Sequence, residues 1–327
     1  MTMNLRARLA RGLAVALCLA MPVASLAQAW PSKPIRLIMP FPGSSSVDVV
    51  ARLVAQKMSE SLGQPVVVEP RPGANGMIGS DVVAKSAPDG YTLQIATPST
   101  HVTSLFLSKN VPYDPVKDFT PITAAVEPAT CLAVYPDLAV KNVAELVEYA
   151  KRNPGRLSYS SSGIGSVFHM TGEIFNQATG TNLLHVPYRG AAAALIDLIA
   201  GRVPVAFVAV GDALPQARAG KLRILAVLEA SRYAGLPDVP TVGETLPGFQ
   251  KPASWFGFFG PAGLPPALVA RVHAEIIKAL NAPDVRARLG DGAMIVIGNT
   301  PENFAAMLKN GIDVYGRLIK AAGIQPE

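Results

Sequence analysis

The sequence predicts an α/β protein of two lobes, each a mainly parallel sheet flanked by helices, and three observations carry that expectation. Apolar runs rich in Val and Ile alternate with amphipathic helical stretches. A strand, a loop of small polar residues and a helix follow one another around residues 40–48, and the same arrangement recurs around 160–166. Two extended, proline-bounded apolar stretches, 118–135 and 248–261, interrupt this rhythm without helical periodicity. Unbroken apolar strands separated by helices are typical of parallel sheets covered on both faces.

In chain order, strands are expected at 35–39, 66–69, 92–96, 157–160, 183–186, 205–209 and 222–227. Between them Val49, Val50, Leu53, Val54, Met58 and Leu62 mark one helix face; Leu146, Val147 and Ala150 mark a second, and Leu195, Leu198 and Ile199 a third. The 29 prolines and 28 glycines fall mostly at junctions such as Ala87-Pro88-Asp89-Gly90. Helices are expected at 265–280, entered through Pro265 and Pro266, and at 301–319, with Thr300 as N-cap. The two extended stretches read as crossovers joining the lobes. This makes the first lobe discontinuous (30–125 plus 254–327) and the second continuous (126–253).

Residues 1–29 read as an export signal. Arg6, Arg8 and Arg11 precede an apolar stretch from Leu13 to Ala24, and Ala27-Gln28-Ala29 offers a small-x-small cleavage site before Trp30. The apolar stretch falls short of the roughly 20 residues of a spanning helix. Removing the leader takes Lys+Arg from 29 to 26 against 23 Asp+Glu, so the net charge falls from +6 to +3. No Lys/Arg run remains to suggest nucleic acid. Cys131, left as a single cysteine beside Leu132, Ala133 and Val134, reads as a core residue.

The residues suited to holding a ligand fall just after expected strands, where parallel α/β sheets bind their ligands. The first lobe offers Phe41, Gly43, Ser44, Ser45, Ser46 and Asp48, then Ala74 and Asn75, then Thr97 and Ser99. The second offers Ser161, Ser162, Gly163, Gly165, Ser166 and His169, then Arg189 and Gly190, then Asp212. A small-residue loop opening a helix aims unpaired backbone N–H groups at one point, where the helix dipole adds partial positive charge. Two such loops suggest an anion, specifically a carboxylate, held between two lobes. Arg189 either pairs a second anionic group or sits on a surface turn. Asp48 bonds backbone N–H groups, an ordered water or a ligand amine. His169 either donates to a ligand or satisfies a buried carbonyl, and Phe41 either stacks on the ligand or plugs the lobe interface.

Catalytic patterns are not found. There is no Gly-x-Ser-x-Gly elbow, and His101, His169, His185 and His273 show no His-Glu-x-x-His spacing. The glycines at 73, 76 and 79, and at 163 and 165, complete neither a dinucleotide fingerprint nor a Walker loop. No cofactor is expected. Two rivals to a non-catalytic receptor stay open: an exported hydrolase using Ser161, Ser162 or Ser166 with His169, and a ligand sensor for a signalling partner.

At these residues the chain resembles the Bug family, the periplasmic solute receptors of tripartite tricarboxylate transporters. The resemblance spans the mature chain and rests on these motifs in order: Trp30-Pro31-Ser32-Lys33-Pro34-Ile35, the 40–48 loop, Arg71-Pro72-Gly73-Ala74-Asn75-Gly76-Met77-Ile78-Gly79, Pro88-Asp89-Gly90-Tyr91-Thr92-Leu93 and Asp118-Phe119-Thr120-Pro121-Ile122. The 160–169 segment, His185-Val186-Pro187-Tyr188-Arg189-Gly190, Asp197-Leu198-Ile199-Ala200-Gly201 and Leu236-Pro237-Asp238-Val239-Pro240-Thr241 complete the series. It implies a two-lobed Venus flytrap that captures a small mono- or dicarboxylate, partly through water, and delivers it to membrane permease subunits. A monomeric, non-enzymatic periplasmic protein is the corresponding expectation. The chain departs from the family's usual Gly-Gly in the first loop, having Ser44-Ser45, and carries Asn75 and Met77 where Gly and Asn are common.

Overall fold

The computed structural model describes residues 30–43 and 45–326. The expected leader with its cleavage site, and Ser44, lie outside the described residues. Eleven strands are formed among the described residues. They are β1 (Ile35–Met39), β2 (Val66–Pro70), β3 (Thr92–Ala96), β4 (Phe119–Pro128), β5 (Thr130–Val134), β6 (Ser158–Ser161), β7 (Leu184–Pro187), β8 (Val205–Ala209), β9 (Arg223–Val227), β10 (Phe256–Pro261) and β11 (Met294–Val296).

They build two sheets, ordered β11-β4-β10-β3-β1-β2 and β7-β6-β8-β5-β9. The chain leaves the first sheet at the end of β4, contributes β5 to β9 to the second, and returns through β10. Both sheets are mixed, with four of six strands in the first and four of five in the second sharing one direction. β1 runs parallel to β2 and β3, and β6 runs parallel to β7 and β8. β10 is antiparallel to β3 and β4, β4 to β11, and β5 to β8 and β9. The reason is topological. Parallel neighbours need a crossover connection, supplied here by helices, whereas β4 and β10 carry the chain out of and back into one sheet and so run opposite ways.

Local sequence accounts for the helices that matter to the site. Helix Ser46–Leu62 is capped by the Ser45 hydroxyl, which accepts the Asp48 N–H at 3.2 Å, and ends at Gly63 with φ +68°. Helix Val167–Thr179 is opened in the same way by Ser166, whose hydroxyl accepts the His169 N–H at 3.2 Å. Each cap of this type contributes about 1 kcal/mol. In helix Pro301–Ala321, Phe304, Leu308, Gly311, Tyr315 and Ile319 form one buried stripe, with Thr300 capping as expected. This helix packs on β4 and also on helix Val167–Thr179, so it touches elements flanking both sheets. Met170 of the latter joins Trp255, Phe259, Phe304 and Tyr315 in one core cluster. Each of those buried aromatics contributes roughly 1.5–3 kcal/mol over its exposed state. Among the elements additional to the sequence expectation are helix Pro283–Asp291, short and polar, and the three-residue β11.

Candidate functional site

Three loops of the first sheet interlock. Pro40, directly after β1, is buried, and a Cβ placed on Gly79 would lie 2.9 Å from Pro40 Cβ and 2.8 Å from the Arg71 carbonyl oxygen. A Cβ on Gly76 would lie 2.5 Å from Thr100 Cγ2 and 3.2 Å from Pro40. These close approaches bring the 40–45, 73–79 and 97–103 segments together. Ala74, Asn75 and Gly76 all adopt positive φ (+46°, +53° and +89°), and strain in non-glycine residues concentrates at functional loops. Ala74 and Asn75 are exposed, as are Gly43 and Ser46, while Phe41 and Ser45 are half-buried. Asp48 is buried in the first helical turn and its Oδ1 accepts from Arg52 Nε at 2.8 Å, a pairing that sequence reasoning had not weighed. Thr97 is buried, its hydroxyl accepting the Ser99 N–H at 3.2 Å. Ser99 then opens a π-helical turn, Ser99–Thr103.

The second-sheet loop is tied down from inside. Ser161 is fully buried; its hydroxyl accepts the Gly163 N–H at 3.1 Å and lies 2.7 Å from His185 Nε2. Gly165, at φ +73°, donates its N–H to His169 Nδ1 at 3.0 Å. His169 therefore accepts a backbone donor, the reverse of satisfying a carbonyl. Burial holds its imidazole neutral, down to about 3, with the neighbouring His185 acting in the same direction. His185, missed as a site residue, lies on β7 with its ring 3.8 Å from that of His169 and nearly parallel to it at 8°. Inside a mostly apolar strand it carried no signal beyond its type. Ser162 is half-buried and accepts the Gly190 N–H at 3.2 Å through its carbonyl.

Arg189 is exposed and makes no hydrogen bond or ion pair among the described residues. Asp212 is exposed in the first turn of helix Val210–Arg218. Its neighbour Gly211 abuts Gly292: a Cβ there would meet the Gly292 carbonyl oxygen at 2.4 Å.

One contact links the two halves beside these loops. Leu107, at the end of helix Ser104–Leu107, covers Gly165 so closely that a Cβ there would lie 1.7 Å from Leu107 Cδ1. The 97–107 segment thus reaches the first-sheet loops through Thr100 and the second-sheet loop through Leu107. Leu107 gave no sequence signal, being one apolar residue in a short irregular segment. Surface concavities lined by Ala144, Val147 and Leu246, and by Lys57, Ser61 and Lys278, involve none of these loops.

Chemically, the loops supply neutral donors and small residues. The Ser161–His185 pair has the spacing of a nucleophile and base, but its hydroxyl is enclosed and already shared with Gly163. Among the described residues no group of three or more His, Cys, Asp or Glu side chains is placed to hold a metal ion. The two mixed sheets, with the chain crossing between them and capped helices opening beside the strand ends, have the architecture of a periplasmic binding protein, the class of solute receptors.

A profile described as "Tripartite tricarboxylate transporter family receptor" matches residues 50–324, and the chain belongs to that family, which includes the Bug receptors. A UPF0065 protein from the tcbD-tcbE intergenic region of a Pseudomonas species is 38% identical over 316 residues, 96% of this chain and 94% of that one. Protein BugT of Bordetella pertussis is 34% identical over 300 residues, 91% of each chain. Among solved structures, Rpa4515 of R. palustris with adipate has a TM-score of 0.82 at 34% identity, covering 91% of this chain and 100% of that one. MatC of Rhodopseudomonas palustris with bound malate has a TM-score of 0.77 at 31% identity, covering 89% and 100%. Receptors of this family are periplasmic, and no described helix is long and apolar enough to cross a membrane.

Proposed function

We propose that this protein binds a small organic carboxylate between a lobe formed by 30–125 plus 254–327 and a lobe formed by 126–253. The lobes close by bending at the crossovers, and the liganded form docks on the permease subunits of a tripartite tricarboxylate transporter. Export precedes this, with removal of residues 1–29, and the mature receptor acts as a monomer. The observation that carries the reading is the pair of serine-capped helix starts, Ser45 after β1 and Ser166 after β6, one beside each sheet. Helix N-termini favour anions, and preorganised neutral donors hold a carboxylate without burying an unpaired charge. The adipate and malate in the Rpa4515 and MatC structures support the ligand class.

The test is thermal unfolding of the mature chain against aliphatic, hydroxy and aromatic mono- and dicarboxylates. A ligand at about 100 times its Kd stabilises by about 2.7 kcal/mol, which moves Tm by several degrees. No shift with any acid would overturn the reading. Among variants, Gly163→Val and Ser45→Leu are expected to weaken binding more than Arg189→Lys. Gly163 has φ +134° and only 3.3 Å between a built Cβ and the Tyr188 carbonyl oxygen, whereas Arg189 is exposed. Calorimetric titration of the three variants checks this order, and a loss confined to Arg189→Lys would contradict capture by backbone donors.

A further inference from the structure

We infer that His169 and His185 are positioning residues: a stacked pair of imidazoles that, with Ser161, holds the 163–166 turn in its binding conformation and makes that conformation sensitive to protons. The inference builds on the carboxylate reading, because this turn opens the second-sheet helix.

The turn has two glycines with positive φ, Gly163 at +134° and Gly165 at +73°. Such backbone has little intrinsic preference for one conformation, so something outside it must select the shape. Each glycine amide is held by a side chain from a rigid element: Gly163 by Ser161 of β6 at 3.1 Å, Gly165 by His169 of helix Val167–Thr179 at 3.0 Å. His185 of β7 braces both anchors at once. Its Nε2 lies 2.7 Å from Ser161 Oγ, and its ring stacks on His169 at 3.8 Å. Tyr159 of β6 stacks in turn on His185 at 5.0 Å, completing a three-ring column. Gly172 makes room for it, since a Cβ there would lie 2.2 Å from Tyr159 Cε2.

The titratable groups facing the pair come from each of these elements. Tyr159 donates to Glu173 Oε1 at 2.7 Å, and that oxygen lies 3.9 Å from His169 Nε2. Because Nδ1 of His169 accepts a hydrogen bond, its ring proton is assigned to Nε2, on the Glu173 side. A proton added at Nδ1 would face the Gly165 N–H, donor against donor, and would place a cation against the His185 ring. The turn can take up that proton only by releasing Gly165. Burial keeps His169 at about 3 and His185 at about 4 while the column is intact, against an ordinary value near 6.5. Each pH unit below about 6.5 therefore favours the released turn up to tenfold.

Hydrogen exchange on the mature chain, read by mass spectrometry without ligand, tests this in H169A and H169Q beside the wild type. The glutamine can still offer an acceptor to Gly165, without a titrating ring. At pH 7 the 163–166 amides are expected to exchange at least about tenfold faster in H169A and near the wild-type rate in H169Q, with β1–β3 peptides unchanged. Between pH 7 and pH 5 wild-type exchange in the turn should rise about tenfold relative to H169Q. Equal rates in wild type and H169A, or a pH-independent ratio to H169Q, would overturn the inference. Titration with adipate and malate then reads the link to binding: H169A should weaken whichever acid binds by about tenfold, and unchanged affinity would overturn the positioning role. Failure of the wild type to bind any carboxylate would instead overturn the carboxylate reading, with the exchange rates still deciding whether the histidines hold the turn.

Discussion

Acidifying the protein from pH 7 to pH 5 is expected to lower its stability by at least about 2 kcal/mol, an amount His101 supplies by itself. His101 is fully buried, stacked on Phe259 at 4.3 Å and edge-on to Phe119 at 4.5 Å. Its Nδ1 meets Thr100 Oγ1 at 3.0 Å, while Nε2 has no partner among the described residues. Burial lowers its pKa to about 3. Between about 6.5 and 3 the unfolded chain therefore binds a proton that the native state refuses, so stability falls as pH falls through that window. The slope is about 1.4 kcal/mol per pH unit for one such group. His169, held at about 3, and His185, at about 4, act with the same sign over the same window. His101→Phe keeps the ring among Tyr113, Phe119 and Phe259 and removes the unpaired nitrogen. Its stability at pH 7 is expected to stay within about 1 kcal/mol of wild type, with a shallower pH dependence. Urea unfolding midpoints at pH 7, 6 and 5 measure both, and parallel slopes for the two proteins would refute the assignment.

Gly211→Ala should cost about 2–3 kcal/mol, the upper range for overpacking, because the methyl group meets backbone rather than a movable side chain. The added Cβ would stand 2.4 Å from the Gly292 carbonyl oxygen and 3.0 Å from its carbonyl carbon. The neighbourhood has little slack. Ala129, between β4 and β5, donates its N–H to Ala293 at 2.8 Å and accepts from Val210 N–H at 2.8 Å. One residue of the first crossover is thereby bonded to the segment before β11 and to the start of helix Val210–Arg218. Displacing Gly292 strains both bonds where the lobes are joined, so carboxylate affinity should fall along with Tm. Gly290→Ala is the control, since nothing lies within 4 Å of a Cβ there. Equal stability of the two variants would show that the backbone yields freely.

What was readable in the sequence follows what local pattern encodes. The apolar runs placed β1, β3 and β8 to the residue, and Thr300 announced its helix. Strand direction was not readable for β5 and β10, because a fully buried strand looks alike in either orientation; it depends on where the chain enters the sheet. The small-residue loops were visible as glycine and serine clusters after strands. Their internal wiring was not. Asp48 pairs with Arg52 one turn away, and His169 turns back to Gly165 only because two positive-φ glycines bend the chain toward it. His185 reaches Ser161 from a neighbouring strand, a relation that spacing along the chain does not express.

The seat of Leu107 over Gly165 carries an evolutionary corollary. Those two positions compete for a single volume, so they are not at liberty to drift separately. A homologue that acquires a methyl or anything larger at the glycine must turn aside or shorten its counterpart, or slide one half of the molecule against the other. Paired replacement at 107 and 165, beside freely varying neighbours, is the imprint this packing should leave on its lineage.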